Sequence, residues 1–154
     1  MDDAPLTKLH PNYVKVTRIS GVLTLLPLLA GALAIESSGV LPAGVIFIPF
    51  VLLALVLVGV MPARRYAARG FDMGEDRLRV VKGVLFHADT IVPFSRVQHI
   101  DVQQGPLERA FGIARLILHT AGTHNASVTL PGLSHNDAGA MREAIRSHVK
   151  RESA

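Results

Sequence analysis

"SRVQHIDVQQGPLERAFGIARL", Ser95 to Leu116, is the stretch whose reading decides the fold. Its first half alternates: Ile100 and Val102 share one face of an extended strand, while His99 and Asp101, also two apart, project from the other. Gly105 and Pro106 then end the strand and open a short helical turn, because proline suits the first helical position and Gly112 can stop the turn. Leu107 and Phe111, four apart, are expected to point the same way and plug one end of the β structure, which makes Phe111 a candidate core residue. The polar side chains left over are Gln98, His99, Asp101, Gln103, Gln104, Glu108 and Arg109.

Outward from this stretch the same period continues on both sides. "RLRVV", Arg77 to Val81, follows the turn "MGEDR", and Lys82-Gly83 punctuates a hairpin into "VLFHADTIVPF". In "RLILHT" Leu116 and Leu118 share a face, and in "ASVTL" Val128 and Leu130 do so, which gives the strands a common buried side. The chain ends differently. In "SHNDAGAMREAIRSHVKRE" Ala138, Met141, Ile145 and Val149 recur at three- and four-residue spacing, with Arg142, Glu143, Arg146 and Lys150 opposite, as in an amphipathic helix. Ser134 and Asp137 supply its N-cap in the manner of a capping box. An antiparallel sheet of this size would leave an apolar face wet unless the helix closed it.

The first 60 residues are a different polymer. Ile19 to Ile35 and Val40 to Met61 contain no charged residue, and Glu36 is the single charge between them. At about 1.5 Å per residue these runs cover roughly 26 to 33 Å, the thickness of a bilayer core. The connection "ESSGVLP" is short, so two spans form an antiparallel hairpin, with Pro27 and Pro49 inside the spans as modest kinks. Lys8, Lys15 and Arg18 flank one end and the membrane-proximal Arg64, Arg65 and Arg69 the other, which by the positive-inside rule puts both termini in the cytoplasm. The organisation expected is therefore a cytoplasmic segment 1–16, a transmembrane helix 17–35, an external loop 36–42, a second transmembrane helix 43–61 and a cytoplasmic mainly-β domain 66–154. A cleavable signal peptide, with "ALA" at 32–34 as its cleavage site, competes for the first run, but that run is longer than a signal core and a second span follows at once.

Composition agrees with a membrane protein and removes several chemistries. Of 154 residues 49% are hydrophobic and 18% charged, too apolar for an ordinary soluble domain of this length. Without cysteine there is no disulfide, thiolate metal site or cysteine nucleophile, and the absence of tryptophan argues against a base-stacking platform. His119 and His124 are close in sequence, yet they flank a turn and lack a third ligand at a usual spacing. Ser95, His99 and Asp101 include the residue types of a nucleophilic triad without a nucleophile elbow, and neighbouring strand positions do not give its geometry. No glycine-rich phosphate loop follows a strand. The net charge of +4 suits the inner leaflet rather than nucleic acid, since each Lys or Arg near anionic headgroups contributes about 1 kcal/mol.

Two spans, then "DRLRVVKGVLFHADTIVPFSRVQHIDVQQGPLERAFGIARLILHTAG", then "LPGL" and a terminal helix, resemble the bacterial pleckstrin-homology-like membrane proteins of the YdbS type over nearly the whole chain. The resemblance implies a PH-like domain, a partly open barrel with a C-terminal capping helix. It implies no reaction and no cofactor. The reading is of an integral membrane protein presenting an interaction or scaffold domain, with no catalytic activity. Its partners are the bilayer and a membrane or cytoplasmic protein, or a second copy of the chain. The candidate contact surface is His99, Asp101, Gln104, Glu108 and Arg109, polar groups that the strand and turn do not require. The alternatives are an accessory or regulatory subunit of a membrane enzyme or transporter, and a lipid-headgroup-binding module. A lipid-modifying enzyme is the weakest.

Overall fold

The computed structural model describes residues 5–121 and 127–152, and the chain divides into two units: one of residues 14–64, the other of residues 1–13 with 65–154. In the first, helix α1 (Asn12–Ser37) and a second rod made of α2 (Phe47–Ala54), a π-helical stretch (Leu55–Val60) and α3 (Met61–Ala67) are each long and apolar enough to cross a membrane. Their outward leucines and valines are exposed, Leu55 by 62% and Leu28 by 57%, the pattern of helices whose solvent is hydrocarbon. Pro27 lies inside α1. Pro49 differs from the kink expected: α2 begins at Phe47, so this proline sits in the first turn, where no intrahelical N–H is missed. Pro62 has no N–H for the preceding turn, and the π register lies directly before it. In the same region the Arg18 guanidinium donates to the Gly59 carbonyl at 3.1 Å. Glu36 closes the connecting loop, its carboxylate accepting from the Gly44 N–H and, at 3.0 Å, from the Phe47 N–H at the start of α2.

The second unit has two three-stranded antiparallel sheets that do not close into a barrel. Sheet A is β1 (Gly70–Met73), β2 (Arg77–Lys82) and β3 (Ala88–Pro93); sheet B is β4 (Val97–Gln103), β5 (Ile113–Thr120) and β6 (Ser127–Ser134). The alternation read in sequence fills the core with Leu78, Val80 and Val92 from sheet A and Leu116, Leu118 and Leu130 from sheet B. Helix α5 (His135–Glu152) adds Ala138, Met141 and Ile145, and the Ser134 hydroxyl caps it by accepting from the Asp137 N–H at 3.0 Å. Across sheet A, Arg79 grips Asp89 through Nε and Nη2 at 2.6 to 3.0 Å, and that hydrogen bond holds the Asp89 carboxyl below its ordinary pKa.

Three features were not legible in sequence. The N-terminal segment is part of the domain: Thr7 pairs with Phe71, His10 N–H donates to the Gly132 carbonyl at 2.6 Å, and Leu9 is 3% exposed within the core. Cleavage after residue 34 would remove this piece of the core, which is a structural argument against a signal peptide. The large buried aromatic is Phe94, in the 3-10 turn Phe94–Arg96, edge-on to the His148 ring at 5.5 Å. Phe111 is only half-buried, because it caps the five-residue helix α4 (Pro106–Ala110) at the edge of the core, where its carbonyl accepts from the Asn12 side chain at 3.0 Å. The expectation that it plugs the sheet is thereby corrected.

Candidate functional site

The outer face of sheet B carries the polar residues singled out in sequence, and a β-bulge puts them there. Val97 and His99 are two apart and would ordinarily share a face. The register of β4 against β5 shifts between them, so Val97 enters the core while His99 faces out. Beyond the bulge the pairing is regular, with His99 opposite His119 and Asp101 opposite Ile117.

Asp101 therefore stands between two imidazoles. Its Oδ1 is 2.9 Å from His99 Nε2 and its Oδ2 is 3.3 Å from His119 Nε2, and the two rings lie 5.8 Å apart. With Nε2 protonated, each ring donates to one carboxylate oxygen, and protonation of either ring would turn its hydrogen bond into an ion pair. Among the described residues no hydrogen bond joins Ser95 to His99, so the three residue types of a triad are not assembled as one. Among the described residues no group of His, Asp and Glu is arranged to hold a metal ion; His124, weighed with His119 as a ligand pair, lies outside them.

Two of the five candidate contact residues are used by the fold. Glu108 is 8% exposed; its Oε2 accepts from the Gly105 N–H at 2.7 Å and from Arg115 Nη2 at 2.8 Å, which caps the start of α4 and ties it to β5. The Gln104 amide donates to the Ile113 carbonyl at 2.7 Å. Gly112, at φ +67°, ends α4 as its sequence position suggests. What the turn leaves outside is Arg109, and what the sheet leaves outside is His99 and Asp101.

Sequence reasoning missed His119, Arg142 and Arg146. His119 was weighed only as a metal ligand, because its cross-strand neighbour depends on a register that one strand does not reveal. Arg142 and Arg146, four apart on α5, stand in the sequence only as part of the side opposite the helix's apolar stripe. In the structure they line a cleft of about 420 Å³ together with Gln98, His99 and Val149, between β4 and the helix. The cleft's lining is rich in hydrogen-bond donors, two of which have carboxylate partners beside it: Arg142 with Glu143 at 3.3 Å and His99 with Asp101.

Of the membrane-proximal arginines, Arg64 and Arg65 are exposed, whereas Arg69 is drawn into the domain, hydrogen-bonded to the Tyr13 hydroxyl and stacked over its ring at 5.5 Å. Tyr13 in turn lies against Gly132, where an added Cβ would come within 3.1 Å of the ring.

With this architecture on the page, the comparisons with known proteins are specific. The profile of the bacterial PH domain matches residues 17–149. The chain belongs to the bacterial PH domain family. It is 28% identical over 156 aligned positions to the transmembrane protein YdbS of Bacillus subtilis (strain 168), an alignment covering 94% of this chain and 93% of that protein. No solved structure matches the chain. The family match begins inside α1 and ends inside α5, so it takes in the apolar helices as well as both sheets. The protein is thus a YdbS-like transmembrane protein carrying a bacterial PH domain.

Proposed function

We propose that the protein is a non-catalytic interaction module of the bacterial inner membrane, held by a two-span hairpin and displaying its PH domain to the cytoplasm for a protein partner. The observation that supports this most is the surplus of polar groups on the outer face of sheet B. His99, Asp101 and His119, with Arg109 at the adjoining turn, are not needed by the core or by α4, in contrast to Glu108 and Gln104. A surface patch that combines one carboxylate with several donors favours a polar protein contact over an apolar ligand.

The test is a combined Asp101→Ala and Arg109→Ala variant of the full chain, expressed in its own membrane and cross-linked in place. Surface polar replacements of this kind alter stability by about 0.5 kcal/mol or less. The variant is expected to remain folded and inserted while losing the parent's cross-linked partners. An unchanged set of partners from a folded variant overturns the assignment of this face, and loss of the fold reassigns the residues to structure.

The cleft between β4 and α5 favours a second reading, a headgroup- or phosphate-binding module, because Arg142, Arg146 and His99 converge on one opening. Arg142→Ala with Arg146→Ala would then abolish retention of soluble phosphorylated headgroups, while leaving the cross-linked partners unchanged.

A further inference from the structure

The turn joining β2 to β3, residues 83–87, carries the most exposed large apolar side chains of the domain. Leu85 is 79% and Phe86 87% exposed, and Val84 beside them is 38% exposed. None belongs to the hydrophobic core, and none is among the apolar residues packed against it. The turn's shape does not depend on these side chains. A Cβ at Gly83 would come within 2.5 Å of the Phe86 carbonyl oxygen and 2.7 Å of the His87 Cα, so glycine closes the turn through backbone and aims the Leu-Phe pair outward. Exposed Lys82 stands at the base of the turn, a cation beside an apolar tip.

We infer that Leu85 and Phe86 form a wedge that inserts into the interface of an anionic bilayer, the membrane in which the chain's own helices lie. Three observations select lipid as the occupant. The chain passes into the domain at Arg65, directly after the hairpin unit, so a bilayer surface is always within tether reach. An apolar tip with an adjacent lysine has the chemistry of an interfacial anchor, apolar atoms below and a cation at headgroup level. A protrusion only two large side chains wide is small beside the patches that form stable protein interfaces. The wedge involves none of the residues of the sheet B surface; it rests on the reading of the hairpin as spanning.

The absence of tryptophan makes the test direct. Full-length Phe86→Trp is reconstituted into vesicles of phosphatidylglycerol and phosphatidylethanolamine, with bromine placed either high or low on the acyl chains. Leu53→Trp, on an exposed face of α2, reports on the span, and Ser147→Trp, on an exposed face of α5, on the domain at large. The wedge predicts blue-shifted Phe86→Trp emission, quenched more by high than by low bromines, as for groups roughly 5–10 Å into the interface, with Ser147→Trp unquenched. Solvent-like, unquenched emission at position 86 while Leu53→Trp is quenched overturns it. Blue-shifted emission without quenching overturns it too and assigns the tip to a protein surface. Equal quenching at 86 and 147 removes the turn's special role, and an unquenched Leu53→Trp overturns the spans and the wedge together.

Discussion

Phe94 and Phe111 separate a core aromatic from a capping one. Phe94 is 2% exposed in the core and packs edge-on to His148 of α5, so truncating it leaves a cavity there. Phe94→Ala is expected to cost about 3–5 kcal/mol, whereas the half-buried Phe111→Ala should cost about 1–2 kcal/mol. Calorimetric melting of the full chain in detergent checks both, since about 1 kcal/mol moves the midpoint of a domain this size by roughly 4–8 °C. Equal shifts would contradict the assignment. The i, i+4 pairing of Leu107 and Phe111 was readable, but α4 is only five residues long and its far side meets the N-terminal segment through Asn12. No local pattern reports that neighbour. Glu108 is similar: the spacing G-P-x-E suggests a cap, but its burial follows from Arg115, which the β4–β5 register brings alongside.

At the scale of elements, the strongly periodic pieces were legible: β2, β4, β5, the first half of β6, and α5 with its Ser134 cap. Both apolar helices were legible as well, because a run without charge is a composition signal that needs no partner. Strand β1 was not, for it is four residues long, and Phe71 finds its second neighbour in Thr7, across the whole hairpin. That pairing gives the N-terminal segment a stability role. Leu9→Ala is expected to destabilise the domain by about 2–5 kcal/mol, seen as faster hydrogen exchange of the β1 and β2 amides in the full chain. Unchanged protection there would mean that Leu9 packs without supporting sheet A. A fragment starting at Gly70 lacks both Leu9 and Tyr13 and should be less stable than the domain within the full chain.

For the whole molecule the charge distribution is the basis of the proposed orientation. Lys8, Lys15, Arg64 and Arg65 lie at the open end of the hairpin, and Glu36, at its closed end, has its carboxylate engaged by the backbone of Gly44 and Phe47. Reporter fusions at either terminus are expected to be active only as cytoplasmic fusions, and a reporter inserted between Glu36 and Leu41 only as an external one. An external C-terminus would overturn the topology and the cytoplasmic partner with it.

The docking of Leu9 and Thr7 onto the sheets sets an order of events during synthesis. The segment leaves the ribosome first, yet Phe71 is made only after both apolar helices, several seconds later at about 5–20 residues per second. The domain therefore cannot be completed before both apolar helices have been made. Once β1 captures Thr7, the chain on either side of the hairpin is fastened into one folded body. A nascent product in which only one helix has inserted holds these two flanks on opposite sides of the bilayer and cannot make the fastening. Such a chain would be left with Leu9 and Thr7 undocked and the core of its domain incomplete.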